Sequence, residues 1–188
     1  MTPTGLPFPL EGSTLIVGPS GVGKTRLTAR ALSTWLDQHG PAGVVILDFG
    51  PEVEHQGKIL GGRLDRFVDI PDSVWYAHLE SNAPRAKGED PAEIRHLASE
   101  NAEGGRRLLE DAPDQPMAVF VNDVTLIAHV PDNPLEDLLD YSSEGRCTVL
   151  NAYEGTSLGG DDPISTQERR TVARLRRWAD REIRLTDE

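Results

Sequence analysis

The amino-acid sequence predicts an α/β fold: a three-layer sandwich in which helices cover both faces of a mostly parallel sheet of about five strands. Three observations support this prediction. Residues 14–47 read as strand, helix and strand. Two later apolar runs, residues 117–121 and 147–150, each lead into a polar residue. The chain closes with a helical pattern over residues 165–180 and a short strand pattern over residues 182–185.

The first three elements form a βαβ unit. Residues 14–17 are apolar or β-branched, as in a buried strand. Residues 24–38 place apolar side chains at helical spacing, and Gly40-Pro41 ends the helix. Residues 44–47 predict a second buried strand that ends at Asp48. A short crossover helix between two strands places them parallel in one sheet.

The middle of the chain is less regular. Residues 50–66 are predicted to be rich in loops, with short strands at 67–68 and 74–77. We therefore expect one domain over residues 1–188, in which residues 51–116 form a loop-rich and partly helical excursion before the third buried strand.

Further elements follow from capping and turn residues. Asp90-Pro91 suits the start of a helix over residues 91–110, although Gly104-Gly105 weakens its second half. A short helix is predicted over residues 135–141. Residues 1–12 are rich in Pro and Gly and are predicted to lie extended on the surface.

Acidic side chains outnumber basic ones, 31 to 19, so the formal net charge is −12. The excess lies in residues 41–164, which hold 24 acidic and nine basic side chains. Such a surface argues against general binding of nucleic acid or anionic membrane. The single cysteine, Cys147, excludes an internal disulfide and a cysteine-built zinc site. No apolar run reaches the length of about 18 residues typical of a membrane span, and no signal pattern is present, so we expect a cytoplasmic protein.

One segment carries a chemical motif. Gly18-Pro19-Ser20-Gly21-Val22-Gly23-Lys24-Thr25 fits the pattern G-x-x-x-x-G-K-[ST] at every fixed position, between a predicted strand and a predicted helix. Glycines let successive backbone N–H groups curl around phosphate oxygens, and the helix N-terminus adds partial positive charge. The motif predicts that Lys24 bridges the β- and γ-phosphates of a nucleotide and that the Thr25 hydroxyl binds Mg²⁺.

With this Walker A motif the chain resembles the P-loop NTPases. Residues 11–17, which lead into the motif, are also similar to the recombinase-like branch of that superfamily, which is related to the clock-protein and AAA+ types. The resemblance implies a P-loop NTPase sandwich with ATP and Mg²⁺ as ligands. The guanine-reading N-K-x-D segment of GTPases does not occur in this sequence, so ATP is favoured over GTP.

The run from Met117 to Asp123 resembles the Walker B strand of the same superfamily, and its ending permits two alignments. In the favoured one, Asp123 is the carboxylate of the Mg²⁺ shell. In the other, Asn122 takes the metal position and Asp123 that of the catalytic glutamate. Either alignment makes fast hydrolysis doubtful, because one acid is replaced or shortened.

Other residues carry weaker predictions. By the same resemblance, Asn151 after the fourth strand is either a sensor of the γ-phosphate or a turn residue. Asp48 is a base, a Mg²⁺-shell residue or a substrate contact, or more simply a loop-entry residue. Surface or ordinary hydrogen-bonding roles are favoured for three histidines and for three arginines that are otherwise candidates for γ-phosphate contact, and a solvated face for an arginine stripe on the last helix. These residues are His55, His78 and His129; Arg63, Arg85 and Arg146; and Arg170, Arg174, Arg177 and Arg181.

The predicted function is that of a Mg²⁺-dependent ATP-binding protein, an ATPase whose nucleotide cycle drives a conformational change or the binding of a protein partner. Two alternatives remain. Residues 18–24 are very similar to the P-loop of guanylate kinases, which favours a small-molecule or nucleotide kinase. The Asn122-Asp123 ending favours a slow or inactive nucleotide-binding switch or assembly subunit.

Overall fold

The computed structural model describes residues 5–55, 58–155 and 161–186, and the side chains of residues 53–61 lie outside this description. The chain has an α/β fold built on a six-stranded, all-parallel sheet with helices beside it. The strands are β1 (Gly12–Gly18), β2 (Val44–Asp48), β3 (Glu52–His55), β4 (Lys58–Gly61), β5 (Trp75–His78), β6 (Ala118–Asn122), β7 (Cys147–Tyr153) and β8 (Arg181–Arg184). The helices are α1 (Lys24–His39), α2 (Pro84–Lys87), α3 (Pro91–Glu110), α4 (Leu135–Ser142) and α5 (Pro163–Trp178).

The strand order in the main sheet is β5-β2-β6-β7-β1-β8, and every neighbouring pair is parallel. The strands β1 and β2, which follow each other in the chain, are therefore separated by β6 and β7. In β1, Leu15 pairs with Leu150 of β7 on one side and with Glu182 of β8 on the other. Because all six strands run the same way, all their carboxyl ends lie at one edge of the sheet.

Side chains of each strand alternate between two hydrophobic layers. On one face, α1 packs through Ala29, Leu32 and Trp35 against a layer that includes Ile16 and Phe120. On the other face, α4 and α5 pack against a second layer. Its buried members include Leu15, Val17, Val121, Leu138, Val172 and Leu175. This arrangement is compatible with a three-layer sandwich.

The N-terminal segment corrects the sequence prediction. Residues 1–12 were expected to lie on the surface, but Leu6 is 0% and Phe8 1% exposed, and both belong to the layer under α1. The Arg30 guanidinium donates a hydrogen bond to the Gly5 carbonyl oxygen at 2.6 Å and holds this segment against the helix. The prediction was wrong because two apolar side chains between prolines can fill the core without forming a strand.

The region after β2 also departs from expectation. Residues 52–55 and 58–61 form a separate antiparallel pair, β3 and β4, rather than a loop alone. The strand expected at residues 67–68 is absent, since residues 64–66 form a 3₁₀ turn and the Val68 N–H donates to the Leu64 carbonyl. The predicted helix over residues 91–110 is confirmed as α3, and the Asp90 side chain caps it by accepting hydrogen bonds from two backbone N–H groups.

Within the described residues, none of the helices combines the length and the apolar character needed to cross a membrane.

Candidate functional site

A crevice is expected where β1 and β7 end. The helix after β1 lies on one face of the sheet, and the helix after β7 lies on the other. Neighbouring strands with this arrangement leave a gap outside their carboxyl ends, and ligands of open α/β sheets bind in such gaps. The segment Gly18 to Thr25 begins at this place, and the Gly18 carbonyl accepts a hydrogen bond from the Glu154 N–H just after β7.

The structure favours glycine at three positions of the segment, for two different reasons. A Cβ at Gly18 would collide with the backbone carbonyl oxygen of Leu185, so the close approach of the two chains needs glycine there. Gly21 and Gly23 have φ values of +83° and +98°, a region that favours glycine. A Cβ at either position would meet nothing within 4 Å, so the curled backbone borders open space.

The N-terminus of α1 faces the same region. Gly23 occupies the N-cap position, and no described side chain caps the helix or adds an acidic group in its first turn. The first N–H groups of a helix lack partners in the helix itself and carry partial positive charge. This end of α1 is therefore suited to an anion.

Lys24 folds back on the segment that precedes it. Its ammonium nitrogen donates a hydrogen bond to the Pro19 carbonyl oxygen at 2.5 Å and lies 5.8 Å from the centre of the Tyr153 ring. Tyr153 is the last residue of β7 and is 6% exposed. The lysine is thus held across the mouth of the loop, between β1 and β7.

A chain of buried amides connects α1 with the ends of β6 and β7. The Thr25 hydroxyl donates to Asn122 Oδ1 at 3.1 Å. The Asn151 side-chain nitrogen donates to the same oxygen and to the Thr28 hydroxyl, both at 2.9 Å. Asn122 and Asn151 are each 1% exposed. These contacts fix the first turn of α1 against the two strands.

Asp48 lies at the far side of this chain of amides. Its carboxylate accepts hydrogen bonds from Asn122 Nδ2 at 2.7 Å, from the backbone N–H groups of Leu64 and Gly50, and from the Tyr76 hydroxyl. The side chain is completely buried, and this burial raises the pKa of Asp48 although the hydrogen bonds oppose the shift. Four donors leave this carboxylate little capacity for a ligand.

Asp123 has a different environment from Asn122. Its φ of 56° and ψ of 62° are left-handed, and its N–H donates to Asn151 Oδ1 at 3.0 Å. Its carboxylate accepts from the Thr125 hydroxyl at 2.8 Å. Burial raises the pKa of Asp123, while that hydrogen bond and the charges of Lys24 and His129 act in the opposite direction.

The structure therefore brings five of the predicted site residues together at one edge of the sheet. The Thr25 hydroxyl contacts the amide of Asn122, whereas the hydrogen bonds among the described residues link Asp123 to Thr25 through Asn151 and Asn122. The assignment of Asp123 to Mg²⁺ and of Asn151 to a γ-phosphate sensor stays a prediction. The five residues are Lys24, Thr25, Asn122, Asp123 and Asn151.

Sequence reasoning missed Thr28 and Tyr153. Thr28 is completely buried and bonds both the Lys24 carbonyl oxygen and Asn151. A signal was available, since Thr28 lies one helical turn after Lys24 and Thr25, on the same face of α1. Tyr153 gave no signal, because only the parallel pairing of β7 with β1 brings it to Lys24.

Two of the three loop arginines singled out from the sequence, Arg63 and Arg85, have acidic partners. Arg63 pairs with Asp65 at 3.1 Å, and Arg85 binds Glu168 through two nitrogens at 3.0 Å each. On the last helix, Arg174 binds Glu136 at 2.7 Å. These contacts agree with ordinary ion-pair roles.

In the parts of the chain that the structure describes, no three His, Cys, Asp or Glu side chains are placed to hold a metal ion among themselves. A Mg²⁺ ion at the loop would need oxygen ligands from hydroxyl, carboxylate, water and phosphate groups, as is usual for this ion. In comparisons with known proteins, no protein-family model matches this chain, and no curated protein matches it.

Proposed function

We propose that this chain is a P-loop NTPase of the recombinase-like kind, which binds ATP with Mg²⁺ at residues 18–25 and couples binding or slow hydrolysis to a conformational change or to a protein partner. The observation that carries the proposal is the backbone of the loop. Gly21 and Gly23 take φ values that favour glycine, and no described side chain caps the N-terminus of α1 that follows them. A chain of phosphates supplies the negative charge and the acceptors that such a loop lacks.

Phosphate binding would fall to the loop amides and to Lys24. The Lys24 ammonium group already lies in the loop, held by the Pro19 carbonyl. That hydrogen bond to a neutral oxygen is weaker than one to a phosphate oxygen, so exchange of partners on nucleotide binding is favourable. Tyr153 forms the wall behind the ammonium group.

Mg²⁺ would be held by the Thr25 hydroxyl and the Asp123 carboxylate, with water and phosphate oxygens completing the shell. Asp123 is favoured over Asp48, since Lys24 is near enough to influence its pKa and Asp48 already accepts four hydrogen bonds. When bound, the ion would neutralise charge on the phosphate oxygens. Asn151 would keep Asp123 in place through the hydrogen bond to its backbone N–H.

We expect hydrolysis to be slow because neutral side-chain amides, those of Asn122 and Asn151, lie beside Thr25. A general base must lie within reach of the attacking water. In the described part of the chain, the Thr25 hydroxyl donates its hydrogen bond to the neutral side chain of Asn122. The amide nitrogen of Asn122 in turn donates to Asp48. This arrangement supports a nucleotide-dependent switch in which turnover depends on a partner.

A kinase is the second candidate, and a specific observation favours it. A cavity of about 1100 Å³ lies between α3 and the start of α5, and one of its lining residues, His129, follows Asp123 by six positions in the chain. A kinase would release ADP only when an acceptor is added, whereas an ATPase releases it from ATP and water alone.

The proposal is tested by replacing Lys24 with alanine. We expect Lys24→Ala to weaken binding of a non-hydrolysable ATP analogue with Mg²⁺ by about tenfold to a hundredfold, because a hydrogen bond from a charged group is lost. Isothermal titration calorimetry measures the dissociation constant of the analogue directly.

Lys87→Ala is the matched control, since Lys87 is an exposed lysine at the end of α2. We expect this variant to bind the analogue as the unaltered chain does. Equal binding by Lys24→Ala and the unaltered chain, or no binding by the unaltered chain, would show the proposal to be wrong.

A further inference from the structure

Phe67 is an exposed aromatic side chain beside the first turn of α1. In the described part of the chain, Phe67 and Met117 are the two large apolar side chains that are exposed, at 42% and 40%. Single exposed apolar residues are common on protein surfaces, so the neighbours of the ring decide what it can do.

Arg26 holds the ring beside the glycine-rich segment. It follows Thr25 directly and lies exposed in the first turn of α1. The carbon of its guanidinium group is 5.6 Å from the centre of the Phe67 ring, within the range of a cation–π contact. A single arginine side chain therefore separates the ring from the segment Gly18 to Thr25.

The turn that carries the ring is fixed to the sheet. Leu64, three residues earlier, is completely buried, and its N–H donates to the Asp48 carboxylate at the end of β2 at 2.6 Å. The Gly62 carbonyl oxygen accepts a hydrogen bond from Asn122 Nδ2 at 3.0 Å. The other end of that amide accepts from the Thr25 hydroxyl at 3.1 Å. The backbone before the ring and the first turn of α1 are therefore joined through one buried side chain.

An accessible ring in this position matches the shape of a nucleotide. In a nucleoside triphosphate the ribose alone separates the base from the phosphate chain, so the base of a nucleotide held by residues 18–25 must lie close to them. Every base has a π face, and bases stack on aromatic rings and on the guanidinium plane of arginine. Phe67 offers the first kind of surface and Arg26 the second.

We propose that Phe67 is the stacking surface for the base of a nucleotide whose phosphates are bound at residues 18–25. The inference rests on the proposed function, and it adds the class of ligand: a nucleoside polyphosphate with a planar base rather than an inorganic polyphosphate. Stacking accepts any base, so Phe67 contributes affinity and does not choose between adenine and guanine.

The test compares two ligands that differ in the presence of the nucleoside. One is the non-hydrolysable ATP analogue with Mg²⁺, and the other is inorganic tripolyphosphate with Mg²⁺. Isothermal titration calorimetry of the full chain measures both dissociation constants. We expect Phe67→Ala to weaken binding of the analogue about tenfold, as for the loss of one stacked base, and to leave binding of tripolyphosphate unchanged.

Two further variants serve as controls. Phe67→Trp keeps an aromatic face and should keep the affinity for the analogue. Met117→Ala removes an apolar side chain of nearly equal exposure that precedes β6, at the opposite edge of the sheet, and should leave both dissociation constants unchanged. Binding of tripolyphosphate by Phe67→Ala also shows that the loop of this variant is folded.

The outcomes separate this inference from the proposed function. An unaltered chain that binds neither ligand would overturn both. If the unaltered chain binds both ligands and Lys24→Ala weakens both, the proposed phosphate site stands. The inference about Phe67 is then overturned when Phe67→Ala binds the analogue as tightly as the unaltered chain, or when it loses affinity for both ligands to the same extent.

Discussion

The side chain of Asn122 uses both ends of its amide. Nδ2 donates to Asp48 at 2.7 Å and to the Gly62 carbonyl oxygen at 3.0 Å. Oδ1 accepts from Thr25 and Asn151. An ionised acidic side chain could not do both, because it has no proton to donate. An amide at this position therefore joins a buried acid on one side to a hydroxyl group on the other.

A first prediction concerns the change Asn122→Asp. The new carboxylate would lie beside Asp48 without a donor between them, and the Gly62 carbonyl would lose its partner. We expect the free energy of unfolding at pH 8 to fall by about 2–4 kcal/mol, as for other buried groups left unpaired. Urea denaturation followed by circular dichroism measures the change.

The loss should also depend on pH. Two adjacent buried carboxyls raise each other's pKa, so the folded variant binds more protons than its unfolded chain. Stability of the variant must then decrease as the pH rises, and its deficit should be smaller at pH 4 than at pH 8. A variant as stable as the unaltered chain at both pH values would contradict this account of Asn122.

At the level of single residues, the sequence predicted the loop at residues 18–25 but not the side chains that surround it. The motif around Lys24 and Thr25 is local, so its spacing is visible in the sequence. The contact between Asn122 and Asp48 joins positions 74 residues apart, and it depends on the pairing of β2 with β6. The contact between His129 and Glu168 had no sequence signal, because only the folded chain places these two residues beside each other.

Among the helices, α3 shows how glycine can serve close packing. Gly104 and Gly105 lie inside α3, where glycine normally weakens a helix. A Cβ at Gly105 would lie 2.5 Å from Ile127 Cγ2, and one at Gly104 would meet Leu79 Cδ1. The helix thus approaches the turn after β6 more closely than alanine would permit, and tertiary packing overrides the helix propensity.

A second prediction compares the two glycines. In Gly105→Ala the added methyl meets the stiff, β-branched and buried Ile127, so we expect a loss of about 1–3 kcal/mol in the free energy of unfolding. Gly104→Ala meets the end of the flexible Leu79 side chain, so the gain in helix propensity should make it neutral or stabilising by up to about 1 kcal/mol. Chemical denaturation of both variants measures this difference, and equal effects would refute the packing explanation.

Among the elements, the strongly patterned ones were predictable. The strands of the sheet's interior and the helices α1, α3, α4 and α5 follow periodicities that the sequence displays directly. The antiparallel pair β3 and β4 was missed because glycines and charged residues dominate that stretch of sequence. The burial of Leu6 and Phe8 was missed for a similar reason, as the surrounding prolines are typical of surface segments.

Over the whole molecule, the excess of negative charge opposes folding, because the acidic side chains repel one another. Local ion pairs offset this repulsion only in part. Glu154 and Glu182 share Arg176 and Arg184 near the edge of the sheet. The net charge is still −12. Like charges in a compact molecule repel each other more than in an extended chain, so this charge destabilises the folded state.

A third prediction follows for the dependence on salt. Raising NaCl from about 0.02 M to about 0.5 M shortens the screening length, so the melting temperature should rise as repulsion weakens. Differential scanning calorimetry without nucleotide measures it, and sorbitol at equal osmolality controls for effects other than screening. A melting temperature that falls with salt would mean that the ion pairs outweigh the repulsion.

The fold class was predictable for the whole molecule, and the strand order was not. A βαβ pattern implies parallel strands, and the structure has six of them where about five were expected. Which strands are neighbours depends on long-range pairing. The sequence contains no sign that β6 and β7 lie between β1 and β2.

The position of β1 has a consequence for biosynthesis. Both neighbours of β1 come from the last quarter of the chain, where Leu150 and Glu182 pair with Leu15. A nascent chain that has emerged only to the end of α4 offers β1 no partner, although Lys24 and Thr25 are already outside the ribosome. Until β7 emerges, β1 remains an open edge on which other chains can pair. The segment Gly18 to Thr25, which is made early, is therefore completed among the last parts of the molecule, and contacts of such long range slow folding.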